Sequence, residues 1–183
     1  MDAMTCLFQR RSCRRFKQDP IPRADLERMI DAGRYAPTGY NRQSIRFAII
    51  DSPAKVAQAF EFTGWLTGAP PQGQRPAAYI VVLCDGQVGV DRTGAATASY
   101  AVMLAAWAMG YGSCWHGREG NEKFKAFLGL PDHHEPQVLI SLGRPDEPFE
   151  VHDGSEDWKV RKADDGTVHL GKFSRRYVTV GVL

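Results

Sequence analysis

Residues 91–109 read Asp91-Arg92-Thr93-Gly94-Ala95-Ala96-Thr97-Ala98-Ser99-Tyr100-Ala101-Val102-Met103-Leu104-Ala105-Ala106-Trp107-Ala108-Met109, an alanine-rich run that is apolar nearly all round. Such a run is expected to form a helix packed by neighbours on every side. Its apolar part, Ala95 to Met109, covers 15 residues and contains Thr97, Ser99 and Tyr100. A bilayer span needs about 18 or more, so the helix belongs to a core and the chain has no membrane segment. Outward from it, Gly110-Tyr111-Gly112 ends the helix, and Ser113 to His116 reads as a short strand. Upstream, Tyr79-Ile80-Val81-Val82-Leu83-Cys84 is a continuous apolar run, the pattern of a strand covered on both faces. Downstream, Glu122 to Leu128 is a short helix with Gly129 in the position after its cap and Pro131 as a stop. Val138 to Leu142 is a second buried strand.

Farther out, Asp2 to Arg11 reads as a short helix, and Pro20 and Pro22 break the chain after it. Pro22 suits the first turn of a helix, where its missing N–H costs nothing. Leu26, Met29, Ile30 and Gly33 then recur at helical spacing as far as about Tyr35. Pro37 to Asn41 is turn-rich, Arg46 to Ile50 a strand, Pro53 to about Phe62 a helix, and Gly68 to Pro76 a loop. Near the end, Asp165-Gly166 between Trp158/Val160 and Val168/Leu170 signals a hairpin. Alternating strands and helices around one apolar helix describe an α+β or α/β sheet protein.

The chain has 183 residues, enough to bury roughly 70% of its unfolded surface without a staple, and residues 1–183 read as a single domain. Net charge is +2, and hydrophobic residues make up 43%, so neither a histone-like nucleic-acid packer nor a disordered chain is indicated. Cys6, Cys13, Cys84 and Cys114 form no C-x-x-C pair. Met1 to Arg11 lacks a signal peptide's apolar region, so reduced thiols and a cytoplasmic location are expected. Neither G-x-G-x-x-G, a P-loop, G-x-S-x-G nor H-E-x-x-H occurs. Of the histidines His116, His133, His134, His152 and His169, the adjacent pair His133-His134 should point its rings apart, and no catalytic metal is expected.

Five cations between Arg10 and Lys17 surround Ser12. Arginine forks plus a hydroxyl suit a phosphate monoester; the same run also fits a solvated basic face or a nonspecific nucleic-acid patch. The latter usually needs interleaved aromatics, and only Phe16 is available. The loop Ala36-Pro37-Thr38-Gly39-Tyr40-Asn41-Arg42-Gln43 places two amides two residues apart after a tight turn, able to face a planar heterocycle. Together, R-R-S-x-R-x-F and A-P-T-G-x-N-x-Q resemble the nitroreductase family of FMN enzymes. The resemblance runs on through Asp91 and the alanine-rich helix to Gly110–Gly117, Leu128-Gly129-Leu130-Pro131 and Leu142-Gly143-Arg144-Pro145, in the family's order.

The resemblance implies an α+β fold with a mostly antiparallel central sheet flanked by helices, and an obligate homodimer with FMN at the subunit interface. It implies that Arg10, Arg11 and Ser12 hold the phosphate and ribityl end, while Arg14 sits near the flavin N1–C2=O edge, where a cation stabilises the reduced state. Pro37, Thr38, Gly39, Asn41 and Gln43 would reach the flavin held mainly by the other subunit. Cys114, Trp115, His116 and Gly117 match the segment whose backbone N–H groups line N5 and O4, and Lys172 or Arg175 would supply a C-terminal phosphate cation. Cys114 itself reads as a packing thiol, and Trp107 as core or subunit interface. NAD(P)H would give hydride to the flavin, and a small electron-poor acceptor such as a nitroaromatic or quinone would then take it. Flavin destruction, dehalogenation and a non-catalytic flavin store are the rivals on the same fold. Where the family continues N-x-Q-P-W, this chain has Gln43-Ser44-Ile45, which reshapes a pocket wall. The family's polar pair after the second helix has no match in Val56 to Leu66, so specificity is expected to diverge between Phe62 and Pro76.

Overall fold

The computed structural model describes residues 1–181. Its elements are α1 (Ala3–Gln9), β1 (Phe16–Lys17), α2 (Arg23–Arg34), β2 (Ile45–Ile50), α3 (Pro53–Phe60), β3 (Ala78–Asp85), α4 (Arg92–Ala108), β4 (Gly112–Gly117), α5 (Glu122–Leu128), β5 (His134–Pro145), β6 (Phe149–Asp153), β7 (Arg161–Lys162), β8 (Val168–Lys172) and α6 (Arg175–Val178). Five strands make one sheet in the order β1-β5-β3-β2, with β4 also on β5, and every ladder in it is antiparallel.

Strand alternation divides the core in two. Ile80, Val82 and Cys84 of β3 and Val138, Ile140 and Leu142 of β5 face α2 and α4, meeting Leu26, Met29, Ala98 and Val102. Tyr79, Val81, Leu83 and Leu139 point the other way, toward Ala59 of α3 and Phe124 of α5. All eight residues of β3 are buried, which is why its sequence is continuously apolar although its neighbours are antiparallel. Each such large side chain contributes on the order of 1.5–3 kcal/mol by leaving water.

Three expectations need correction. Pro22 is the cap residue, with extended ψ of 137°, and the helix begins at Arg23. The alanine-rich helix is not covered on every side: Ala95, Ala98, Ser99, Val102, Met103 and Ala106 are buried, whereas Ala96, Tyr100 and Ala108 are exposed. Small side chains carry little facial contrast, so the open flank was not readable from periodicity. The hairpin at Asp165-Gly166 forms, but its first strand is only Arg161–Lys162, and Trp158 lies outside it and is exposed. β8 also pairs in parallel with β6, completing a separate three-stranded sheet.

Candidate functional site

α1 ends at Arg10, whose backbone turns extended, and the arginine-rich segment then runs onto the sheet. Ser12 forms a parallel bridge with Ser113, and the Cys13 N–H donates to the Ser113 carbonyl at 2.9 Å. The approach is close enough that a Cβ at Gly112 would stand 2.5 Å from Cys13 Sγ. Burial, with Glu147 nearby, pushes the Cys13 thiol up to about 12, so it stays protonated.

The segment is not a solvated basic face. Arg10, Arg11, Ser12, Arg14 and Arg15 are all partly buried, and only Lys17 of the run is exposed. Arg11 Nη1 donates to the Phe8 and Arg10 carbonyls at 2.6 and 2.8 Å, and Arg14 Nη1 to the Ser12 carbonyl at 3.1 Å. The Arg10 guanidinium lies 5.6 Å from the centre of the Tyr100 ring on α4. Its Nε and Nη1 are buried without a hydrogen-bond partner among the described residues, as is Ser113 Oγ. An unpaired buried donor costs free energy that a bound acceptor would recover.

Glu147, which sequence reasoning missed, organises the turn. Its buried carboxylate accepts the Arg14 and Arg15 backbone N–H groups and lies 3.7 Å from the Arg15 guanidinium. The only available signal was an acid just past the Leu142–Pro145 strand end, in a stretch that otherwise reads as a turn.

β4 presents two faces. Cys114 and His116 are buried on one, while Trp115 and Gly117 are exposed on the other. Cys114 is not poised as a nucleophile, because burial raises its thiol despite the nearby Arg14. His116 Nε2 pairs with Ser141 Oγ at 3.0 Å, and burial lowers the ring to about 4, so it is neutral at pH 7. Trp65 meets the same ring edge-on at 4.8 Å, which brings the 62–68 segment beside the site. β5 covers one edge of β4, and Arg118 N–H bonds toward it through Gln137 O. Alternation therefore turns the N–H groups of Trp115 and Gly117 to the outer edge, where no strand pairs with them among the described residues.

The loop after α2 is held by Asp91, a second role that the sequence did not show. Its carboxylate accepts Gly94 N–H at 2.7 Å as the cap of α4 and Gly39 N–H at 2.9 Å from the loop. These two donors hold it below the usual carboxylate range. Thr97 Oγ1 donates to the Pro37 carbonyl at 3.2 Å, and Gln43 N–H to Thr38 Oγ1 at 3.0 Å. Tyr40, Asn41 and Gln43 have φ of 52°, 54° and 50°, a left-handed conformation uncommon for such residues, and all are exposed. The loop therefore projects a committed shape into solvent.

The chain does not bring all the expected residues together. The loop is anchored at Asp91 and Thr97, toward the start of α4, whereas Ser12 and Ser113 meet beyond its end, and the Arg10 guanidinium reaches back to Tyr100. Lys172 ends β8 and Arg175 begins α6; among the described residues no hydrogen bond or ion pair joins either to Arg10–Arg14. The rings of His133 and His134 do not point apart: their centres are 4.3 Å from each other, because the chain turns there to enter β5.

Comparison with known proteins bears on the family and the fold. The model of the nitroreductase family matches residues 7–82 and 86–144. A protein of Archaeoglobus fulgidus, provisionally named an NADH dehydrogenase/NAD(P)H nitroreductase, is 26% identical over 169 residues, 85% of this chain and 92% of that relative. The crystal structure of a nitroreductase family protein from Clostridium novyi NT is similar with a TM-score of 0.70 and 25% identity, over 79% of this chain and 87% of that one. A nitroreductase from Bacteroides fragilis NCTC 9343, crystallised with bound FMN, shares the fold with a TM-score of 0.65 and 21% identity, over 80% of this chain and 90% of that one.

Proposed function

The chain belongs to the nitroreductase family, and from that membership we propose that it is an FMN-dependent oxidoreductase using NAD(P)H to reduce a small electron-poor acceptor, a nitroaromatic or a quinone. The observation that carries this reading is the Ser12–Ser113 bridge, which seats an arginine-rich turn against the open end of β4. Arg10 Nε and Nη1 and Ser113 Oγ are buried donors without partners, and a phosphate with its ribityl chain would satisfy them, so the residues present fit FMN. When bound, FMN supplies the centre that takes up and hands on the hydride.

The chain's own residues bind and orient. Arg10, Arg11 and Ser12 hold the phosphate end, Arg11 exchanging its present carbonyl partners for the anion. Arg14, fixed through its backbone by Glu147, places a cation at the N1–C2=O edge. Trp115 and Gly117 offer their outer-edge N–H groups to N5 and O4, with Cys114 and His116 locking the strand from behind. Pro37, Thr38, Gly39, Asn41 and Gln43 act on the site of a second copy, in keeping with a loop whose Tyr40, Asn41 and Gln43 project into solvent. Lys172, or else Arg175, closes the phosphate end. The working unit is accordingly a homodimer, and the exposed Met4, Leu7 and Phe8 of α1 beside Tyr100 of α4 supply the apolar surface for it.

An anaerobic titration tests the proposal. The purified protein should be yellow or bind added FMN, bleach on addition of NADPH or NADH, and recover colour with a nitroaromatic. A protein that neither carries nor binds FMN would overturn the proposal, and one whose flavin NAD(P)H cannot bleach would be a store.

A further inference from the structure

β6 and β8 pair in parallel with Glu150 directly opposite His169, and strand alternation puts His152 on the same face as Glu150. The backbone register thus gathers two imidazoles and one carboxylate at one place on the small sheet. His152 Nε2 and His169 Nδ1 are 3.0 Å apart. Glu150 reaches both rings, with Oε1 3.8 Å from His152 Nε2 and Oε2 3.6 Å from His169 Nδ1. Three groups able to ligate a metal thus stand within reach of one ion.

We propose that Glu150, His152 and His169 form a site for a borderline divalent transition metal, Zn2+, which staples β6 to β8. Two imidazole nitrogens favour such an ion over magnesium or calcium, which take oxygen ligands, and a carboxylate oxygen is compatible with it. Bonds of about 2.0 Å in a tetrahedral ion separate its ligand atoms by roughly 3.3 Å. The two imidazole nitrogens, 3.0 Å apart, lie close to that spacing, and the Glu150 carboxylate stands beside them with one oxygen 3.8 Å from His152 Nε2 and the other 3.6 Å from His169 Nδ1. Three protein ligands leave one position for water, toward the cleft lined by Ser155, Asp157 and Arg161. β8 leads directly into Lys172 and α6, so the ion fixes the root of the C-terminal arm. The other histidine cluster, Asp85 with His133 and His134, is less suited, because Asp85 is already paired with the Arg46 guanidinium at 2.8 Å.

Titration of the chelator-treated full-length chain with ZnCl2, followed by calorimetry and thermal melting, tests the site. One Zn2+ per chain and a rise in Tm are expected, because the ion binds only the folded sheet. His152→Asn and His169→Gln should each weaken binding by at least about tenfold, Glu150→Gln should weaken it measurably, and His133→Gln should leave it unchanged. Circular dichroism of the variants without metal establishes that they fold. Wild type that fails to bind Zn2+ overturns the proposal. So does binding that survives His152→Asn and His169→Gln but vanishes in His133→Gln, or a rise in Tm that Mg2+ reproduces.

Discussion

Glu147 and His116 show how single residues set the site's properties. The Glu147 carboxylate is buried and holds two backbone N–H groups of the arginine turn. Glu147→Ala strands those donors, at an expected cost of about 2–3 kcal/mol in chemical denaturation. FMN affinity should fall with it, because Arg14 loses its backbone anchor; unchanged affinity in a folded variant would separate the turn from the cofactor. His116 has a folded-state pKa lowered to about 4 from 6.5, so the unfolded chain binds the extra proton first. Its contribution is intact above about pH 6.5 and is lost as pH falls toward 4, with a slope of at most about 1.4 kcal/mol per pH unit. Denaturation at several pH values should show that slope in wild type and a shallower one in His116→Gln. Neither residue's role was legible beforehand. Glu147 acts on residues 132 and 133 positions away, and the burial of His116 depends on Trp65 and Ser141 arriving from other segments.

At the scale of elements, the strongest sequence signals were those with internal redundancy. β3 was readable because apolar residues run unbroken from Tyr79 to Cys84. Only the apolar middle of β5, Val138–Leu142, was readable, since its ends at His134 and Pro145 are polar or turn-like. α5 was readable because Gly129 takes the left-handed φ of 61° that a helix stop requires. β1 is too short for any periodicity to show, with one buried and one exposed residue, and the alternation of Phe149-Glu150-Val151-His152 in β6 is confined to a few residues beside a turn. The Thr38–Gln43 loop was legible as a cofactor motif only through its resemblance; its anchoring on α4 came from the fold. Asp91→Ala should therefore do two things: remove the α4 cap, costing about 1 kcal/mol, and release Gly39, lowering FMN affinity more than the stability loss explains. Asp91→Asn, which keeps one acceptor oxygen, should restore one of the two contacts and not both, because Gly94 and Gly39 bond to different carboxylate oxygens. Gly33 supplies a prediction whose sign is decided by magnitudes. Alanine gains up to about 1 kcal/mol of helix propensity, but its Cβ would lie 2.8 Å from both Phe47 and Val102, where α2 crosses β2 and α4. Overpacking of about 1–3 kcal/mol exceeds that gain, so Gly33→Ala should lower Tm.

For the whole molecule, the partition of the site decides what a functional unit is. One chain anchors the left-handed loop at Asp91 and Thr97 of α4 and brings the Arg10 guanidinium to Tyr100 farther along it, and this flank of α4 is open, with Tyr100 39% exposed. Beside it α1 exposes Met4, Leu7 and Phe8, the last at 70%. Apolar side chains gathered on one surface favour association, and the same surface adjoins Arg10 through the Tyr100 ring. A homodimer formed there links assembly to cofactor binding, so the two should fail together. Phe8→Asp places a charge in the middle of that surface without touching the core, and α1 keeps its Asp2 cap. Sedimentation should show the wild type as a dimer and Phe8→Asp shifted toward monomer, with FMN content reduced in proportion to the monomer fraction. A variant that becomes monomeric yet retains full FMN would show that the site is complete within one chain, and the loop at Asn41 would lose its assigned part.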